Sequence, residues 1–178
     1  MVTPAAVVVG PPGSGKSTVG PLLARRLAVP FRDSDDDIVA GAGKPISDIF
    51  TDDGEPAFRA LEESAIATAL AEHPGVLSLG GGAVLSAATR ARLAGHAVVF
   101  LNVGMAEGVR RVGLSSARPL LAGVNPRATY KQLLDARLPL YREVATVEVD
   151  TDHHGPAEIV EQVVAKLNLT IPTENGVS

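Results

Sequence analysis

The sequence predicts an α/β protein, a three-layer α/β/α arrangement around a central parallel sheet of five strands. Three observations point there. Short apolar, β-branched runs alternate with stretches whose apolar residues recur every three or four positions, the pattern of parallel strands covered by helices on both faces. A glycine-rich segment, Gly10 to Ser17, joins the first strand to the first helix. The chain has 178 residues and no cysteine, enough to bury a core without a disulfide or thiolate–metal staple.

The elements follow in order. Residues 6–9 form a short buried strand. Residues 16–28 carry Val19, Leu22, Leu23 and Leu27 on one helical stripe, and Pro21 predicts a local kink there. A weak strand is expected at 31–33. Residues 56–72 read as a helix with Pro56 in its first turn, where a missing N–H costs little. A strand at 76–79 runs into three glycines. Residues 86–94 are a short helix, 96–103 the clearest strand, and 106–112 a helix. The segment 113–125 has glycine and proline punctuation and no clean period, so it reads as a mobile loop. Residues 126–141 are helical, with Pro139 expected to break the helix; 146–149 is a strand and 156–167 the last helix. Together, 1–170 read as a single domain, with 34–62 a helical segment near the substrate and 171–178 a flexible tail.

Composition excludes several functions. There are 20 acidic and 16 basic residues, and aromatics are 3% of the chain. An acidic chain without stacking platforms argues against a nucleic-acid partner. The segment MVTPAAVVVG has no positive flank and too short an apolar run for a signal peptide or membrane span, so a cytoplasmic protein without a membrane partner is expected. The charges are segregated: 33–63 holds ten acids and two bases, and 90–142 holds nine bases and two acids. Blocks of opposite sign suit solvated faces, or a metal-handling and an anion-handling region in one domain.

The motif Gly10-Pro11-Pro12-Gly13-Ser14-Gly15-Lys16-Ser17-Thr18 has the spacing of a phosphate loop. Its glycines let backbone N–H groups curl round phosphate oxygens at a helix N-terminus, Lys16 reaches the β and γ phosphates, and Ser17 can ligate Mg²⁺. Asp33 and Asp35, at the end of the second strand, are candidates for water-mediated Mg²⁺ binding and for accepting a hydrogen bond from an attacking hydroxyl. The third strand ends without an acid, which leaves this pair best placed, with Asp150 after the last strand as the other candidate. Gly80, Gly81 and Gly82 allow close approach of an anion to the backbone. Arg59 and Glu62, spaced i and i+3, are either a surface ion pair or part of a cleft. Arg137 interrupts the apolar stripe of Tyr130, Leu133, Leu134, Leu138 and Tyr141, so it needs an anionic partner or must snorkel out. Arg118, in the 113–125 loop, suits a lid that closes over a nucleotide.

With these residues in place, the chain resembles the shikimate kinases, in matching order over roughly residues 6–167. The resemblance rests on GPPGSGKST at 10–18, DSD at 33–35, ISDIF at 46–50, FRALEE at 58–63, LSLGGGAV at 77–84, RPLL at 118–121 and RLPLYREVA at 137–145. It is greatest to the actinobacterial forms. The resemblance implies the phosphate-loop, nucleoside-monophosphate-kinase-like fold and transfer of the γ-phosphate of ATP to the 3-hydroxyl of shikimate, with Mg²⁺, by a monomer. It implies that Asp35 binds the shikimate hydroxyls and is the candidate base, and that Asp33 acts near Mg²⁺. It also implies that Arg59, Gly81, Gly82 and Arg137 hold the carboxylate and that Glu62 orients Arg59. Phe50 and Phe58 would pack near the substrate, Arg118 would contact phosphate, and Arg111 and Pro156 would flank adenine. The sequence departs from the family at Ser34, at Pro11-Pro12 and at His153-His154-Gly155. Taken without the resemblance, the residues call only for a small hydroxy acid. A related small-molecule kinase, such as a gluconate kinase, and an inactive nucleotide-binding module are therefore the alternative readings.

Overall fold

A computed structural model describes residues 2–113 and 125–173 of the chain. Five parallel strands make one sheet: β1 (Ala6–Val9), β2 (Phe31–Asp33), β3 (Val76–Ser78), β4 (Val98–Asn102) and β5 (Val147–Asp150), in the spatial order β2-β3-β1-β4-β5. Eight α-helices accompany them among the described residues: α1 (Lys16–Leu27), α2 (Ser34–Ala42), α3 (Ile46–Asp53), α4 (Glu55–Glu72), α5 (Ala87–Leu93), α6 (Met105–Gly113), α7 (Pro126–Val144) and α8 (Pro156–Leu167). A 3-10 turn spans Ala83–Leu85.

The period-two alternation of the strands divides the core between the two faces of the sheet. Val8 packs with Val19, Leu23, Val99 and Ile159 under α1 and α8. Val7 and Val9 pack with Ile66, Leu77, Phe100 and Tyr141 under α4 and α7. A smaller cluster of Ile38, Ile49 and Phe58 ties α2, α3 and α4 together. The register aligns Val8 with Ser78 and Ser78 with Asp33, so β1, β3 and β2 end at one level. The chain passes from β1 to β2 and β3 on one side and then crosses to β4 and β5 on the other, and a ligand crevice forms beyond the carboxyl ends of strands at such a switch point.

The strands and helices read from the sequence are present, with β4 shorter than expected. One expectation needs correction. Pro139 does not break its helix; α7 runs through it to Val144. A proline inside a helix costs about 3 kcal/mol, but the turn that follows is held by packing. Tyr141 is fully buried with its ring stacked on Phe100 at 5.0 Å, and Leu138 and Val144 pack on the same cluster. Burial of such side chains contributes about 1.5–3 kcal/mol each. Helix α1 includes Pro21, and Val19, Leu23 and Leu27 hold it to the sheet. On α4, Phe58 is buried while Leu61 is 42% exposed. Most of the proposed lid, including Arg118, and most of the tail lie outside the described residues.

Candidate active site

The phosphate loop follows β1 directly. Gly13 and Gly15 hold φ of 81° and 95°, the left-handed region that glycine adopts without strain. At Gly13 a side chain would also meet the Gly108 carbonyl at 2.9 Å. Gly15 caps α1 without a side-chain hydrogen bond, so the helix's first N–H groups are served by backbone geometry suited to an anion. Lys16 arches over this loop, and its Nζ donates to the carbonyls of Gly10 at 2.7 Å and Pro11 at 3.0 Å. A cavity of about 320 Å³ opens here, lined by Lys16, Ser17, Thr18, Asp33, Asp35 and Gly80 among others. Ser14 is fully buried in the loop, and its hydroxyl has no partner among the described residues.

Asp33 and Asp35 enter this cavity from the β2–α2 junction. Asp33 is the N-cap of α2, accepting the Asp35 N–H at 2.9 Å. Burial, and then the charge of Asp35, push the Asp33 carboxyl up to about 6, against the pull of that N–H and of Lys16. Asp37 turns away to pair with Arg32 at 2.7 Å. Asp150 is exposed at the far end of the sheet, where it accepts the Asp152 N–H, and it does not line the cavity. Oxygen donors of the Ser17, Asp33 and Asp35 kind suit Mg²⁺. Among the described residues no three His, Cys, Asp or Glu side chains converge to hold a metal alone. That donor set fits an ion carried largely by phosphates and water.

The three glycines after β3 are shaped by their neighbours. A side chain on Gly80 would meet Asp35 Oδ1 at 2.8 Å and Glu62 Oε2 at 3.0 Å. One on Gly82 would overlap the guanidinium of Arg59, so the glycine lets that cation lie flat on the backbone. Arg59 donates to Glu62 at 2.8 Å and lies 5.2 Å from the centre of the Phe58 ring. Phe58 in turn packs on Phe50 with ring centres 4.7 Å apart. Glu62 is only 3% exposed, so this is no surface ion pair.

Arg137 does not snorkel. It is 6% exposed, and its Nη1 has no hydrogen-bond partner among the described residues. Burial holds its guanidinium below its ordinary pKa, and the nearby charge of Arg59 acts the same way; a hydrogen bond to Tyr141 and the charge of Glu62 oppose them. The half-buried Arg59, paired with Glu55 and Glu62, and the buried Arg137 thus lie beside one buried carboxylate, and Arg137 keeps an unused donor among the described residues. Such a donor is costly unless an anion meets it.

Arg111, on α6, reaches back to the phosphate loop. It donates to the Gly13 carbonyl at 3.0 Å and to Thr151 at 3.3 Å, and pairs with Glu107 at 2.9 Å. Pro156 opens α8 at an exposed position just past the Thr151 loop, where His154 pairs with Glu158 at 2.9 Å. The structure therefore brings Lys16, Ser17, Thr18, Asp33, Asp35, Gly80 and Arg111 to one cavity. Sequence reasoning missed Tyr130 and Tyr141 as polar residues, because their spacing marks only an apolar stripe. Both rings are buried, and each hydroxyl bonds a carbonyl of a glycine-containing loop.

Comparison with known proteins decides the family. The shikimate kinase family profile matches residues 12–168. A shikimate kinase from Saccharopolyspora erythraea is 69% identical over 166 residues, covering 93% of this chain and 95% of that protein. The chain belongs to the shikimate kinase family. A shikimate kinase from Acinetobacter baumannii, solved in complex with shikimate, superposes with a TM-score of 0.87 at 34% identity, covering 92% of each chain. A gluconokinase from Sinorhizobium meliloti shares the fold more distantly, with a TM-score of 0.57 at 26% identity over 92% of this chain and 90% of that one. Family membership makes the chain an ATP-dependent phosphotransferase acting on a hydroxyl group, and the gluconate kinase and inactive-module readings are not favoured.

Proposed function

We propose that the chain transfers the γ-phosphate of Mg²⁺-bound ATP to the 3-hydroxyl of shikimate, with its residues divided between two ends of one crevice. The observation that carries the reading is Arg137, buried, desolvated and with an Nη1 that has no partner among the described residues, beside Arg59. A shikimate carboxylate supplies the missing charge, and a planar guanidinium grips it through paired N–H groups. Arg59, oriented by Glu62, and the backbone of Gly81 and Gly82 complete that clamp. Phe50 and Phe58 wall the substrate side.

At the other end, N–H groups of Gly13, Ser14, Gly15 and Lys16 cradle phosphate, and Arg111 and Pro156 flank the adenine. Thr18 and Ser17 follow at the start of α1, with the Ser17 hydroxyl and, through water, Asp33 and Asp35 holding Mg²⁺. When bound, the ion supplies neutralisation of charge on the β and γ phosphates. The shikimate hydroxyl oxygen attacks the γ phosphorus in line, the bond from phosphorus to the β–γ bridging oxygen breaks, and ADP leaves. The hydroxyl proton passes to Asp35, which also orients the attacking oxygen. Lys16, with Arg118 from the lid, offsets the charge on the transferring group, so catalysis is chiefly positioning and electrostatics. The enzyme acts as a cytoplasmic monomer without nucleic-acid or membrane partners; no helix of the described residues is long and apolar enough to cross a membrane.

The test is ADP release coupled to a spectrophotometric readout, with Mg²⁺-ATP and either shikimate or gluconate. Turnover dependent on shikimate and absent with gluconate supports the reading; no shikimate-dependent turnover defeats it.

A further inference from the structure

Two tyrosines on α7, Tyr130 and Tyr141, are fully buried and touch neither end of the proposed reaction directly. They sit eleven residues apart on one rigid helix, on either side of Arg137. The Tyr130 hydroxyl donates to the carbonyl of Pro12, in the phosphate loop, at 2.7 Å. The Tyr141 hydroxyl donates to the carbonyl of Gly81, in the glycine turn, and lies close enough to Arg137 to favour its charge. The two loops also touch each other: a side chain on Gly81 would meet the Pro12 ring at 2.9 Å. Tyr130 is wedged against Gly108 on α6, where any side chain would overlap its ring and hydroxyl. Burial holds the Tyr130 phenol well above its ordinary pKa, so it stays a donor.

We propose that Tyr130 and Tyr141 are positioning residues, Tyr130 setting the phosphate loop and Tyr141 setting the carboxylate clamp, with α7 as the common strut. The geometry separates their effects. Pro12 has no N–H, so its loop conformation is not secured by donation from its own amide, and the Tyr130 bond is a long-range tether across 118 residues of sequence. Tyr141 lies beside the Arg137 guanidinium, one turn along α7, and donates to Gly81, which relates two members of the clamp to each other. Removing either hydroxyl leaves a buried carbonyl unpaired in a loop that must hold its shape for a ligand. The assignment of Tyr141 rests on the shikimate reading above; that of Tyr130 needs only nucleotide binding.

The test is steady-state kinetics of Tyr130→Phe and Tyr141→Phe with both substrates varied, beside thermal melting. Tyr130→Phe is expected to raise KM for ATP about threefold to tenfold, the range of one lost hydrogen bond, with KM for shikimate unchanged. Tyr141→Phe is expected to do the reverse. Gly108→Ala, whose methyl group would displace the Tyr130 hydroxyl while leaving that hydroxyl in the chain, should copy the KM split of Tyr130→Phe. Variants that raise both KM values alike, or that only lower Tm, overturn the proposal. A wild-type protein active on ATP but not on shikimate would overturn the substrate reading instead, and the Tyr130 arm would stand or fall on ATP alone.

Discussion

Replacing Arg137 by methionine should stabilise the protein while crippling it. The side chain is 6% exposed, its guanidinium is desolvated, and Nη1 has no partner among the described residues. A buried unsatisfied donor costs about 1–3 kcal/mol, more when charged. A methionine of similar length removes that cost and keeps most of the packing. The loss of one hydrogen bond to Tyr141 offsets part of the gain. The net expected change is a gain of about 1 kcal/mol, or a rise in Tm of about 2–4 °C for a chain of this size. The same change deletes a charge-assisted, two-pronged contact with the carboxylate, worth about 3 kcal/mol, so kcat/KM for shikimate should fall about a hundredfold. KM for ATP should not move. The assays are calorimetry without ligands and coupled ADP release with both substrates varied. A Tm lowered by several degrees, with both KM values raised together, would refute the reasoning and make Arg137 a structural residue.

Other outcomes follow from the same geometry. Lys16→Ala should abolish turnover with every acceptor, read by ADP release; retained activity refutes its phosphate role. Asp35→Asn should lower kcat about a hundredfold or more while nucleotide binding, followed by calorimetric titration, is kept; a normal kcat removes Asp35 from the reaction. Gly82→Ala places a methyl group on the Arg59 guanidinium, and should raise KM for shikimate about tenfold or more with KM for ATP unchanged; no change would separate Arg59 from the clamp. Asp33 titrates near 6 because it is buried beside Asp35. Its folded pKa lies above its unfolded one, so the folded state is favoured while Asp33 is protonated, and this contribution is lost as pH rises from about 4 through about 6. In nucleotide-free, Mg²⁺-free protein, Asp33→Asn should therefore gain stability over the wild type across that window, by melting at a series of pH values. A difference constant with pH contradicts the shift.

Legibility in the sequence differed by element, for physical reasons. The central strands were readable because β-branched runs such as Ala6–Val9 and Val98–Asn102 are buried on both faces, whereas β2 is only half-buried and read as weak. The separation of α2 from α3 was not, because 34–53 has few buried apolar residues and its helices are held by one small cluster around Phe58. Pro139 misled because propensity is local and the stacking of Tyr141 on Phe100 is not. Among site residues, the phosphate loop and the Asp33–Asp35 pair carry their chemistry in contiguous sequence. The choice between snorkelling and burial for Arg137, and between surface and cleft for Arg59 with Glu62, depended on what faces them across the fold. Tyr130 and Tyr141 were invisible as donors because each acceptor lies on a distant loop.

Arg137, buried and with its Nη1 unpaired among the described residues, is the proposed seat of the substrate carboxylate. The direct measurement is kcat/KM for shikimate and for an analogue lacking the carboxylate, on the wild type and on Arg137→Met. The wild type should prefer shikimate about a hundredfold or more, and the variant should retain about a tenth of that preference or less. Equal preference in the two proteins would contradict the claim.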